Sequence, residues 1–247
     1  MESKILYDLH THTRYSHGKG TVMDNARQAA KLGFTKLGIA DHGPGHKFFG
    51  IDIDCLDQMR ADVMEARKAF PEMEVLMGIE ANIINSDGVI DLTPEQQEKF
   101  DFIIAGFHYG YFGHQPIRSI GATVGGYLHE AFGLESRALR DFNTEFVTAA
   151  LYKNNIDILS HPGAKADFDI EEIARACAET DTIMEINNKH GHLTVAELKR
   201  VAKYNVKFII GSDAHYPFTV GDCQKAYKRA VESGIDLERI VNLRKQK

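Results

Sequence analysis

Residues 4–13 read KILYDLHTHT, an apolar run that ends on two imidazoles spaced two apart. Side chains two apart on an extended strand lie on one side, so His10 and His12 can grip one region of space just past a buried strand. The pattern recurs down the chain. KLGIADH (36–42) ends on His42, EVLMGIE (74–80) on Glu80, DFIIAGFH (101–108) on His108, IDILSH (156–161) on His161, and KFIIGSDAH (207–215) on Asp213 and His215. Short runs rich in Ile, Leu and Val suit strands buried on both faces of a parallel sheet. A seventh such run, TIMEINN (182–188), ends on Asn187 and Asn188.

Helical patterns fill the intervals at 21–32, 54–70, 94–99, within 121–152, and at 170–179, 195–204 and 220–233. Thr21 and Asp169 stand where N-caps belong, and Gly33 and Gly234 where helices stop. Strand and helix alternation of this kind predicts about seven βα units closed into an α/β barrel. Two irregularities interrupt it: NIINSDGVIDL (82–92) reads as a hairpin turning at Asp87-Gly88, and residues 109–155 exceed a simple crossover. Barrel enzymes carry their chemistry at the C-terminal ends of the strands, where these histidines and carboxylates fall.

Composition bounds the class. At 247 residues, with 43% hydrophobic and 26% charged residues, the chain suits one large domain spanning 1–247. No run approaches the roughly 20 apolar residues of a membrane span, and the N-terminal stretch has no secretory pattern, so a soluble, cytoplasmic protein is expected. Cys55, Cys177 and Cys223 follow no bridge or cluster spacing and read as small hydrophobes. A net charge of −6, the absence of Trp and the lack of a basic stripe argue against a nucleic-acid partner. Seven histidines (His10, His12, His17, His42, His108, His161, His215) with Glu80 and Asp213 are oxygen and nitrogen donors suited to zinc, manganese or iron. A multinuclear metal enzyme is the expectation.

In the order D-L-H-T-H-T, His17, I-A-D-H-G, G-I-E-A-N, A-G-F-H, S-H-P-G and G-S-D-A-H, the chain resembles the PHP domain superfamily of polymerase-associated and histidinol-phosphatase domains. The I-N-N at 186–188 makes it most similar to the stand-alone YcdX-type phosphatases. The resemblance implies a distorted (β/α)7 barrel with three divalent transition metals, zinc first, with manganese or iron as alternatives. It assigns His10, His12, Glu80 and Asp213 to one metal, Glu80, His108 and His161 to a second, and His17, His42 and His215 to a third, with Glu80 bridging. The expected activity is hydrolysis of a small phosphomonoester by a metal-bound hydroxide, Glu80 and Asp213 being the catalytic carboxylates and Asp213 or a metal-bound water the acid. Alternatives are a dedicated histidinol-phosphate phosphatase, a phosphodiesterase or nuclease, and a non-catalytic metal-stabilised module.

For the substrate, the expected contacts are Arg118, Lys165 and Asn187. Arg14, Lys19, Lys47 and Lys189 are further cations near the motifs, most of them expected to be solvated. Asp41 precedes a ligand and reads as an orienting or structural acceptor. His46, His114, His129, His190 and His192 read mainly as ordinary loop histidines. Residues 109–133 are expected to shape the pocket as a lid. Oligomeric state is left open.

Overall fold

The computed structural model describes residues 3–46, 48–108 and 137–245. Seven parallel strands follow one another in sequence order: β2 (Tyr7–Asp8), β3 (Lys36–His42), β4 (Glu74–Asn82), β5 (Phe102–Gly106), β6 (Ile158–Leu159), β7 (Ile183–Asn187) and β8 (Phe208–Gly211). The sheet is a nearly closed barrel. At its upper rim Thr11 bridges Ala214, with the His12 amide donating to the Ala214 carbonyl at 2.8 Å. The expected first strand, 4–9, is divided in two: its first part, β1 (Ser3–Ile5), pairs antiparallel with β9 (Leu243–Lys245) instead of joining the barrel.

Below the rim, buried Asn242 stands between β2 and β8, which have no direct ladder bonds. Its amide donates to the Tyr7 carbonyl at 2.9 Å and the Ile210 carbonyl at 2.7 Å, and its oxygen accepts from the Ile210 amide at 3.0 Å. Backbone groups that a closed ladder would pair are satisfied instead by one side chain.

Inside the lower barrel, Ala40, Phe102, Ile104, Ile158 and Ile209 form an apolar plug. The Phe102 ring lies so close to β3 and β4 that an added Cβ at Gly38 or Gly78 would meet its Cζ at 2.7 or 2.2 Å. Outward strand residues such as Ile39, Met77, Ile79 and Met184 pack with the helices in a second, larger cluster. Above the plug, inward positions turn polar, beginning with Glu80 and Glu185, both fully buried.

Helix Val22–Lys31 begins with a capping box made by Thr21 and Asp24, Ile170–Glu179 is capped by Asp169, and Gln224–Ser233 stops at Gly234 with φ +73°. The last starts later than expected, at Gln224, because Gly221, just after a separate 3-10 turn at Pro217–Thr219, takes left-handed backbone with φ +77°. The hairpin is present: Ile83 bridges Ile90 and Gly88 turns with φ +73°. In the long connection, helix Arg137–Lys153 leads into β6, while the expected lid at 109–133 and Arg118 lie outside the described residues. No helix among the described residues is long and apolar enough to cross a membrane.

Candidate metal centre

Glu80, at the upper end of β4, is the hub of the polar layer. Its Oε1 lies 3.0 Å from His161 Nε2 and 3.4 Å from both His10 Nε2 and His108 Nε2. Its Oε2 lies 2.9 Å from His42 Nδ1 and 3.7 Å from His12 Nε2. Asp213 Oδ1 stands 3.3 Å from both His12 Nε2 and His215 Nδ1. The His17 ring reaches the same cluster, its centroid 4.2 Å from that of His215 and 4.9 Å from that of His42. All nine residues singled out by the motifs are thus brought together. His161 and Asp213 hold left-handed backbone, φ +28° and +54°, which costs non-glycine residues about 1–3 kcal/mol each and is sustained by the surrounding contacts.

The loop RYSHGKG that presents His17 is folded back on the strand end. Gly18 N donates to the Thr13 carbonyl at 2.9 Å, and an added Cβ at Gly18 would meet the His12 carbonyl carbon at 2.6 Å. Buried Asp41 stabilises the start of this loop, accepting from Thr13 N, Thr13 Oγ1 and Ser16 Oγ at 2.7, 2.6 and 2.5 Å. It braces the backbone between His12 and His17.

Burying carboxylates and imidazoles together sets their charges. Burial alone would raise Glu80 and Asp213, but the surrounding histidines, His10 foremost, hold both well below the usual carboxylate range. Burial pushes His108 down to about 3, and burial with the neighbouring imidazoles brings His17 to about 3. For His215, burial outweighs Asp213 and leaves it at about 4. His10 is the exception: burial would lower it, but Glu185, Glu80 and Asp213 carry it well above its ordinary value. The cluster therefore presents ionised carboxylates beside mostly neutral imidazoles, the protonation states that metal ligation requires.

Several of these atoms have no protein partner. His10 Nε2, both ring nitrogens of His12, His17 Nδ1, His42 Nδ1 and Glu80 Oε2 are buried and make no hydrogen bond of acceptable geometry. Such groups are expensive to leave unpaired, and bound cations are what this set of donors fits. Among the described residues, four groups of three donor atoms lie within 4.8 Å: His12/His42/His215, His10/His12/Asp213, His42/Glu80/His108 and His161/His190/Asp213.

A second layer was less visible in the sequence. Glu185, the lone acid in the run TIMEINN, accepts at Oε1 from His10 Nδ1 at 2.8 Å and at Oε2 from the His161 amide at 2.9 Å. Asn82 Oδ1 meets His108 Nδ1 at 2.8 Å, while its backbone and side-chain amides donate to Asp91 at 2.8 and 2.5 Å. These partners fix ring orientation and leave the opposite nitrogen for a cation. Asn187 falls in this layer too. It is fully buried, donates to Glu185 Oε2 and Asp213 Oδ2 at 3.0 and 3.3 Å, and accepts from the His190 amide, which leaves it no donor for a substrate. Lys165 is half-buried beside a small cavity shared with His161. His192 turns away from the cluster, 3.4 Å from Glu197, whereas His46 stays at its edge, its ring 5.6 Å from that of His42. His190, read as an ordinary loop residue, stands beside Asp213.

The PHP domain family pattern matches residues 8–190. The chain belongs to the PHP domain family. This PHP protein is similar to a probable phosphatase of Clostridium acetobutylicum, 30% identical over 99% of the chain and 93% of the relative. It is also similar to one of an Enterobacter species, 31% identical over 96% and 89%, and to the probable phosphatase YcdX of Shigella flexneri, 30% identical over the same shares. Its fold is that of a putative histidinol phosphatase from Listeria monocytogenes (TM-score 0.67, 15% identity, 90% of this chain and 99% of that one). It also matches histidinol phosphate phosphatase from Lactococcus lactis, solved with zinc, L-histidinol and phosphate (TM-score 0.58, 14% identity, 94% and 95%). Family and cluster together make this PHP protein a metal-dependent phosphoesterase.

Proposed function

We propose that the protein hydrolyses small-molecule phosphomonoesters with three divalent cations, zinc first, held by the nine clustered residues. The observation that carries this reading is buried Glu80, with five imidazoles converging on its two oxygens and one of those oxygens lacking any hydrogen bond. His10, His12, Glu80 and Asp213 would hold one cation, Glu80, His108 and His161 a second, and His17, His42 and His215 a third. His12 and His42 also stand within reach of neighbouring sets. Cations in such a site activate water for in-line attack on phosphorus and neutralise the charge on phosphate oxygens.

The protein's own groups do the rest. Glu80 keeps the donor sets together, Glu185 and Asn82 aim imidazoles, and Asp213 holds one carboxylate oxygen toward His12 and His215. Lys165 and Arg118 remain assigned to substrate, Arg118 from outside the described residues, and Asn187 is reassigned from substrate contact to bracing. The test is a hydrolysis panel with defined metals: histidinol phosphate, sugar phosphates, nucleotides and short oligonucleotides. Turnover of monoesters that a chelator abolishes, with elemental analysis near three metals per chain, is expected. Active protein carrying a single metal would reject the trinuclear site, and preference for oligonucleotides would reject the substrate class.

A further inference from the structure

We infer that Lys189 and His190 form a phosphate clamp, two adjacent donors on the loop after β7 that recognise the terminal dianion of a monoester. The inference rests on the function proposed above and names the side chains that would read its substrate.

The loop is anchored on both sides of these residues. Asn187 is held as described, Asn188 Oδ1 accepts from Ala226 N at 3.0 Å, and Asn188 N donates to the Gly211 carbonyl at 2.9 Å. From helix Gln224–Ser233, the Arg229 guanidinium donates to the carbonyls of Asn187, His192 and Leu193. The intervening pair is therefore presented from a fixed base. Lys189 Nζ stands 3.4 Å from Asp213 Oδ1 and 3.1 and 3.2 Å from the two nitrogens of His215. His190 Nε2 stands 3.2 Å from Asp213 Oδ2, and its ring centroid is 4.9 Å from that of His161. The two donors straddle one carboxylate, and both remain open to solvent, Lys189 by 43% and His190 by 23% of the side chain, while Asp213 is 3% exposed.

Charge decides what such donors are for. An ammonium has three donors and no acceptor, so beside Asp213 and His215 it occupies ground that the functional reading gives to a cation. Like charges do not share those atoms, and a four-carbon stem lets the ammonium withdraw without moving the anchored loop. What then faces Lys189 and His190 across the metal cluster must be an anion with several charged oxygens. A monoester phosphate offers two negative charges there and a diester only one, so the pair should favour the monoester. His190 also stands within ligating distance of His161 and Asp213, so the alternative is that it serves a cation instead.

The experiment uses the full chain loaded with zinc, inorganic phosphate as the dianionic probe and dimethyl phosphate as the monoanionic one, with affinities read by calorimetry. Lys189→Met keeps the length of the stem and removes the charge. It should weaken phosphate binding by about 10- to 100-fold, the range of a hydrogen bond to a charged group, and leave dimethyl phosphate within about threefold. KM for monoesters should rise more than kcat falls, metal content should stay that of the wild type, and Lys189→Arg should restore most of the affinity. His190→Ala should weaken phosphate by a smaller factor, again with unchanged metal content. Phosphate affinity of K189M equal to wild type overturns the clamp, and loss of a metal ion in H190A overturns the role given to His190. Wild-type protein with full metal content and no monoester turnover would overturn the underlying function instead, so the two failures are distinguishable.

Discussion

At the scale of single residues, Glu80 has the most to lose. Its oxygens face five imidazoles at 2.9 to 3.7 Å, and no other described carboxylate is so placed. Glu80→Gln keeps the volume and removes the charge, so metal affinity should fall by about 10- to 100-fold and turnover at least as much. Circular dichroism should be unchanged, because the apolar plug lies below the site. Near-normal turnover with full metal content would remove Glu80 from the chemistry. Asp91 gives a different readout. Burial pushes its carboxyl from 3.8 up to about 6 against three donors, from Asn82 and Gly45, that favour ionisation. With a raised folded value, the stability it contributes is fully present below pH 3.8 and is lost as pH rises through 6, up to about 3 kcal/mol. The stability deficit of Asp91→Asn relative to wild type should therefore shrink between pH 4 and pH 7 in denaturant titrations, whereas a constant deficit would show that Asp91 does not titrate in that window. The motif histidines other than His17, which the loop RYSHGKG presents, were legible because each closes an apolar run; Glu185 and Asp91 were not, since a lone acid carries no spacing that names its partner.

At the scale of elements, apolar runs located all seven barrel strands, six of them closed by proposed ligands, and helical patterns with a few capping residues located the helices. What they missed is how the barrel shuts. Pairing of β1 with β9 and insertion of Asn242 between β2 and β8 join opposite ends of the chain, and contacts so distant leave no local periodicity. Asn242→Ala would strip partners from the Tyr7 carbonyl and from the buried carbonyl and amide of Ile210, at a cost of about 2–4 kcal/mol. For a chain of this size that lowers Tm by roughly 5–10 °C. Asn242 bonds the backbone of Tyr7 and Ile210 and none of the clustered donors, so kcat per folded molecule should be retained. A Tm within a degree of wild type would mean that water replaces the side chain without cost.

Across the whole molecule, the apolar plug and the helix-facing core are separate from the polar layer above, so the fold does not depend on cations as a small zinc-nucleated domain does. Chelator-treated protein should keep its secondary structure at pH 7.5 and lose activity, while zinc at 100 times its dissociation constant should raise stability by about 2.7 kcal/mol for each cation site filled. Acid should then expose the cluster. His17 and His108 are held near 3 and His215 near 4, with burial the first cause, against an ordinary value of 6.5. Because the unfolded chain takes these protons more readily, stability is fully present above pH 6.5 and is lost as pH falls toward 4. His10 and the buried carboxyls of Asp8, Asp41 and Asp91, held above their ordinary values, work the other way, while His12, His46 and His190 are lowered along with the three. The Tm of metal-free protein should therefore stay nearly level down to about pH 6.5 and fall between there and pH 5, and the gain from zinc should narrow as protons compete for the same nitrogens. A Tm that is flat or rising with acid would show that the crowded imidazoles do not set the acid limit. Unfolding by chelator at pH 7.5 would show that metal and fold are coupled after all.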